Sequence, residues 1–201
     1  MNKIVIAGIG TEVGKTVVSA IITTKLLGDY WKPIQSGIEN SDTDEVAKFI
    51  DLSKHKIFPP TYSLKAPLSP HHAARLEGIA IDLKKIIPPK TNKPLIIEMA
   101  GGIFTPINHH TLNIDLFSSW KATWILVSKN YLGSINHTLL TIEALQTRNI
   151  PLLGIIFNGK SNPDTENTIL EISKIPVLGR LLPESQINQS ITQRYAKKWQ
   201  L

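Results

Sequence analysis

The sequence predicts an α/β fold in which helices cover both faces of a parallel sheet. Three observations lead there. Short apolar runs at residues 3–7 (KIVIA), 94–98 (PLIIE), 123–128 (TWILVS) and 152–158 (LLGIIFN) read as strands, and none alternates with polar residues, so each is expected to be buried on both faces. Longer amphipathic stretches fall between them, as parallel strands with crossover helices require. The first run passes through glycines straight into a helix, the junction that a phosphate-binding loop needs.

The elements follow in order. Residues 3–7 are β-branched and stop at Gly8. Residues 14–27 read as a helix, with Val17, Val18, Ile21, Ile22 and Leu26 at helical spacing. Residues 30–33 form a short second strand. In Ser41-Asp42-Thr43-Asp44-Glu45, Asp42 is the expected helix cap with Glu45 three residues on, and the helix continues through Val46, Phe49 and Ile50. Prolines 59, 60, 67 and 70 make residues 58–70 an extended excursion before a short helix at 71–77. The strand at 94–98 ends in the turn Ala100-Gly101-Gly102, and a strong helix at 135–148 follows the strand at 123–128. Residues 177–182 are the last expected strand. With no internal repeat or low-complexity tract, residues 1–201 read as a single domain.

Composition bounds the chemistry. A chain of 201 residues buries about 70% of its unfolded surface, so it needs no disulfide or metal staple. The absence of cysteine excludes disulfides, thiolate-bound zinc, iron–sulfur clusters and a thiol nucleophile, and fits a reducing compartment. After Met1-Asn2-Lys3 the apolar run meets glycine at once, so no export signal is expected. No stretch approaches the ~18 apolar residues of a membrane span. A cytoplasmic protein is therefore expected. The net charge of +6 comes from scattered lysines, densest at Arg194, Lys197 and Lys198, with no basic stripe. Neither nucleic acid nor a membrane is expected as a partner; small anionic ligands suit this charge better.

Gly8-Ile9-Gly10-Thr11-Glu12-Val13-Gly14-Lys15-Thr16 has the character of a loop for nucleoside triphosphate. Its glycines let successive N–H groups face phosphate oxygens, and the following helix adds its dipole. Lys15 would neutralise the β- and γ-phosphates, and Thr16 would offer its hydroxyl to magnesium. The common spacing puts the first glycine where Ile9 stands; here Gly8 lies one residue earlier.

Such a site needs carboxylates for magnesium at the ends of neighbouring strands. Glu98 ends the strand PLIIE, where an unpaired charge would be costly to bury, and so is expected to serve the site. Asp42 fits either a ligand or a plain helix cap. Lys32, after the short second strand, would face the same crevice from the sheet's C-terminal edge, although a lone lysine is more often solvated. His71-His72 and His109-His110 lack a carboxylate at ligand spacing and do not read as a metal site.

Together these segments resemble the dethiobiotin synthetase family. That family writes its loop with glycine, threonine, any residue, threonine, an acidic residue, valine, glycine, lysine, threonine, and residues 8–16 match except for Ile9. Trp31-Lys32-Pro33-Ile34-Gln35-Ser36-Gly37 and Ser41-Asp42 resemble its next two segments. Ala66-Pro67-Leu68-Ser69-Pro70-His71 resembles its substrate-side loop, and Glu98-Met99-Ala100-Gly101-Gly102 its glycine turn, with Met99 in place of a glycine. Leu132-Gly133-Ser134-Ile135-Asn136-His137 and Asn158 complete a collinear match from Lys3 to about Pro183.

The resemblance implies a homodimeric ligase of biotin biosynthesis that uses ATP and Mg2+ to carboxylate 7,8-diaminononanoate with CO2 and close the ureido ring. Lys15 and Lys32 would be catalytic, and Thr16, Asp42 and Glu98 would hold magnesium. Glu12, Val13, Gly14, Lys15, Thr16, Val17, Asp42, Glu98, Gly101, Asn158 (reading adenine), Gly159, Pro183 and Glu184 would bind nucleotide. Thr11, Ser36, Gly133, Ser134 and Asn136 would bind substrate, the last three reaching the neighbouring subunit's site. Met99 is expected to narrow or reshape the nucleotide site. A cobyrinate amidation enzyme shares the loop but needs a cysteine. A partitioning or division-site ATPase, the alternative reading, carries a lysine early in the loop where Gly10 and Thr11 stand here.

Overall fold

The computed structural model describes residues 3–39 and 41–201; Met1 and Asn2, which open the segment read above as free of an export signal, lie outside the described residues. In chain order the elements are β1 (Lys3–Gly8), α1 (Lys15–Lys25), β2 (Asp29–Trp31), β3 (Ile34–Ser36), α2 (Asp42–Phe49), β4 (Ile57–Phe58), β5 (Tyr62–Leu64), α3 (Pro70–Leu76), a 3-10 turn at Leu83–Lys85, β6 (Leu95–Glu98), α4 (Asn113–Ser118), β7 (Thr123–Lys129), α5 (Ser134–Thr147), β8 (Leu152–Asn158), α6 (Pro163–Ser173), β9 (Val177–Leu181) and α7 (Gln189–Lys198). Among the described residues no helix is long and apolar enough to cross a membrane.

Seven strands form one sheet in the order β4-β2-β6-β1-β7-β8-β9, with parallel pairing throughout. β1 lies at the centre between β6 and β7, and the chain first fills one side of it and then the other. The connections from strands on the two sides diverge at the C-terminal end of β1, opening a crevice where such sheets bind ligands.

The strands are apolar on both faces because both faces are covered. Within β1, Ile4 and Ile6 join the core with Val18, Ile21, Ile22 and Tyr195 from α1 and α7, while Val5 and Ala7 join the other core with Ile142, Leu145 and Ile169 from α5 and α6.

Several sequence expectations shift. The first helix ends at Lys25, because Leu27 takes φ 50 and leads into the Gly28 turn. The second strand is Asp29–Trp31, so Lys32 lies just beyond it. The last strand stops at Leu181. The proline-rich excursion holds two short strands: β4 extends the main sheet, and β5 pairs with β3 in a separate two-stranded parallel sheet. Helices α4, α6 and α7 were not anticipated.

Candidate active site

The loop between β1 and α1 is held from three sides. The Ile9 amide donates to Val127 O at 3.1 Å on β7, and Ile9 itself packs against the core. Glu12 (φ 56) and Gly14 (φ 94) turn the chain in the left-handed region, where glycine is least strained. A Cβ on Gly8 would lie 2.7 Å from Val13 Cγ2, so the early glycine of this loop is needed for close packing beneath it. Asn158, ending β8, donates from Nδ2 to Val13 O at 2.8 Å.

Lys15 folds back over the loop and donates to Gly10 O at 2.8 Å. Burial pushes its pKa down to about 8 despite the attraction of Glu98. An anion placed in the loop would raise it again.

At the start of α2 the helix cap is Ser41, whose Oγ accepts from the Asp44 amide at 3.2 Å; Asp42 was the expected cap. The one-residue difference matters, because it frees the Asp42 carboxylate to turn into the crevice. There Asp42 Oδ1 accepts from Thr16 Oγ1 at 2.5 Å, and Oδ2 contacts Lys32 Nζ. Glu98 completes the cluster: Lys32 Nζ lies 3.2 Å from its Oε1, and Thr16 Oγ1 lies 3.0 Å from the same oxygen. Lys32 is therefore buried between two carboxylates, not solvated. Burial works against its charge, but Glu98 and then Asp42 outweigh it and hold the ammonium pKa above the ordinary value. Asp42 responds in kind: burial would raise its pKa, but Lys32 and the donors around it bring it below the usual carboxylate range.

Two supporting residues were not read from the sequence. Tyr30, buried on β2, donates from its hydroxyl to Glu98 Oε2 at 2.9 Å. Burial and then Glu98 keep that hydroxyl protonated, raising its pKa well above the ordinary tyrosine value. Gln35 donates from Nε2 to Ser36 O (3.1 Å) and Gly37 O (2.9 Å) and accepts at Oε1 from the Asp42 amide (3.3 Å), tying the 35–37 segment to α2. The available signal was a tyrosine inside an apolar strand, whose hydroxyl requires a partner.

The crevice holds about 700 Å³. Thr11, Glu12, Gly14, Lys15, Thr16, Val17, Lys32, Ser36, Asp42, Glu98 and Gly101 line it, facing Pro67–Pro70. Ser36 Oγ is buried there without a hydrogen-bond partner. Val13 is buried beneath the loop and does not line the crevice. Gly159 (φ 105) continues from Asn158, with its amide bonded to Leu181 O at 2.9 Å.

Other expected residues lie elsewhere. Gly133 and Asn136 line a second hollow beside Asn130 and Asn162, which shares no lining residue with the first, and Ser134 is buried beside it. Gly133 takes φ 100 as the N-cap of α5 and offers no side-chain cap. Glu184 Oε1 accepts from Tyr195 Oη and Arg194 Nη2, both at 2.5 Å, in a third hollow, while Pro183 is exposed. Met99 does not line the crevice: its φ is not positive, its amide bonds Ile6 O at 3.2 Å, and its side chain is wholly buried in the core. The His71 and His109 rings stand 6.2 Å apart, and among the described residues no three His, Cys, Asp or Glu side chains gather as metal ligands.

A parallel sheet with a phosphate loop at its central strand, facing two carboxylates and a buried lysine, defines a P-loop nucleotide-binding protein. The family described as an AAA domain matches residues 2–190. The chain is 46% identical over 200 residues to the ATP-dependent dethiobiotin synthetase BioD of Chlamydia pneumoniae, covering 99% of this chain and 90% of that protein. It is 48% identical over 195 residues to the protein of the same name from Christiangramia forsetii, covering 96% and 94%. The chain belongs to the ATP-dependent dethiobiotin synthetase family. Among solved structures, a putative plasmid partition protein from Borrelia burgdorferi bound to AMPPNP aligns with TM-score 0.59 at 15% identity, over 98% of this chain and 94% of that one. A ParA family ATPase from Chlorobium tepidum aligns with TM-score 0.55 at 11% identity, over 99% and 90%. At such identities the likeness is one of fold alone.

Proposed function

We propose that residues 1–201 act as a single catalytic unit that closes the ureido ring of dethiobiotin. One amine of 7,8-diaminononanoate adds to CO2 and loses a proton, giving a carbamate. A carbamate oxygen attacks the γ-phosphorus of ATP and ADP leaves. The second amine then attacks the carbonyl carbon of the mixed anhydride, and phosphate departs as the ring closes. The observation that carries this reading is the convergence of Lys15, Lys32, Asp42 and Glu98 on one crevice that Ser36 and the 67–70 loop also line. Carbamate and triphosphate are both anionic, so their approach needs fixed positive charge in a low-dielectric site. Lys15 meets the phosphates from the loop, and Lys32 meets the carbamate from the opposite wall. Ser36, with its unpartnered hydroxyl, and Thr11 orient the diamine end.

The donor set of one hydroxyl and two carboxylates, all hard oxygens joined through Thr16, fits magnesium. Bound there by Thr16, Asp42 and Glu98, the ion would neutralise charge building on the β- and γ-phosphate oxygens. Glu12, Val13, Gly14, Val17, Gly101, Asn158 and Gly159 would form the nucleotide's bed, and a nucleotide role for Pro183 and Glu184, which lie outside that crevice, rests on the family resemblance alone. In this reading the protein is a cytoplasmic homodimer, and Gly133, Ser134 and Asn136 serve the substrate carboxylate of the partner's site with helix-terminal N–H groups. The exposed Leu132, Tyr131 and Leu140 beside them support an interface there.

Substrate dependence tests the proposal. ADP formation by the purified protein should require both the diamine and bicarbonate. Turnover indifferent to both would instead favour a nucleotide-switched binding module, the alternative reading of the sequence.

A further inference from the structure

Asn158 is placed to do more than contact a base. It ends β8, the second strand from β1, yet its side chain reaches the phosphate loop, with Nδ2 donating to Val13 O at 2.8 Å. The contact is close-packed as well as polar. A Cβ on Gly14 would lie 2.3 Å from Asn158 Nδ2 and 3.1 Å from its Cγ, so the glycine before Lys15 leaves room for this amide. Gly14 is also the N-cap of α1 and, having no side chain, gives the start of that helix no side-chain cap. Lys129 Nζ, at the end of β7, contacts Glu12 O at 3.3 Å, and the Asn158 amide takes the next carbonyl, Val13 O, with the Val13 side chain buried beneath.

We propose that Asn158 is a positioning residue that clamps the phosphate loop at Val13–Gly14 and thereby couples base occupancy to the grip on phosphate. The coupling rests on the nucleotide reading above; the clamp does not. A primary amide carries two N–H donors and one acceptor oxygen. One N–H is committed to Val13 O, which leaves the second N–H and Oδ1 for a ring nitrogen and an exocyclic amine of the base. A base that engages those groups fixes the amide's rotamer and with it the Val13 carbonyl. Reciprocally, phosphate in an ordered loop favours the rotamer that receives the base.

The clamp separates experimentally from simple base contact. Asn158→Ala removes the amide, and Asn158→Ser is a milder change at the strand end whose hydroxyl is too short to reach. In the ligand-free protein, amides 13–16 should exchange with deuterium about three- to tenfold faster in either variant, the effect of one lost hydrogen bond, with β1 unchanged. Tripolyphosphate, which has no base, should bind about three- to tenfold more weakly, alongside ATP. If ATP weakens while tripolyphosphate affinity and loop exchange stay at wild-type values, Asn158 is a base contact only and the proposal is overturned. A wild-type chain that takes up neither ligand overturns the nucleotide reading and the coupling with it, while the exchange experiment still decides the clamp.

Discussion

Glu98 carries its carboxylate at a position 1% exposed, where an unpaired charge would cost several kcal/mol. Lys32 donates to Oε1 and Tyr30 to Oε2, and the Thr16 hydroxyl, whose one proton serves Asp42, lies 3.0 Å from Oε1. The lysine and the threonine also touch Asp42, whereas Tyr30 is buried on its strand and bonds Glu98 only. Tyr30→Phe preserves the ring and removes only the hydroxyl. Urea unfolding should show a loss of about 1–3 kcal/mol, the usual consequence of leaving a buried acceptor unsatisfied. An unchanged midpoint would mean that Glu98 is satisfied without the tyrosine. Charge at a strand end made Glu98 legible in the sequence, and the loop made Lys15 and Thr16 legible. Lys32 was not decidable from residues alone, since a lysine after a short strand is ordinarily solvated; only the position of α2 and β6 around it turns it inward. Its role was read from the family resemblance.

At the level of elements, the four long apolar strands were visible because burial on both faces leaves an uninterrupted run. The missed elements share a different physics. In α7 the buried residues are Thr192, Tyr195 and Ala196, a polar-looking stripe that packs because the Thr192 hydroxyl finds Phe49 O (2.5 Å) and the Tyr195 hydroxyl finds Glu184. Helix α6 buries only Glu166 and Ile169, with the carboxylate paired to Arg180 across to β9. Strands β3 and β5 are three residues each and exist only by pairing with one another around the proline excursion, a tertiary event without a local signature. The start of α2 was displaced by one residue for a local reason: Ser41 and Asp42 are both good caps, and sequence alone does not choose between them. The choice has a measurable consequence. Ser41→Ala removes the side-chain bond to the Asp44 amide and should lower stability by about 1 kcal/mol in a denaturant titration. A variant of wild-type stability would return the capping role to Asp42 and leave its contacts with Thr16 and Lys32 without a cause.

Seen whole, the protein sets two groups of its expected functional residues in hollows that share no lining residue: Lys15, Thr16, Lys32 and Ser36 in one, Gly133 and Asn136 in another. In the homodimer proposed above, a two-fold axis would bring the α5 terminus of one copy to the crevice of the other. That arrangement predicts complementation between dead chains. Lys15→Ala breaks the phosphate loop and leaves α5 intact; Asn136→Asp sets a carboxylate at the helix start, against the anionic end of the diamine substrate, and leaves the loop intact. Refolded together in equal amounts, half of the dimers are mixed, and each mixed dimer holds one site with both parts sound. Dethiobiotin formation should return to about a quarter of the wild-type rate, although each variant alone is inactive. Recovery that stays at the level of the separate variants would place loop and helix contributions within one chain. It would remove Gly133, Ser134 and Asn136 from the partner's site and leave the exposed Leu132 side of α5 without a catalytic reason to be covered.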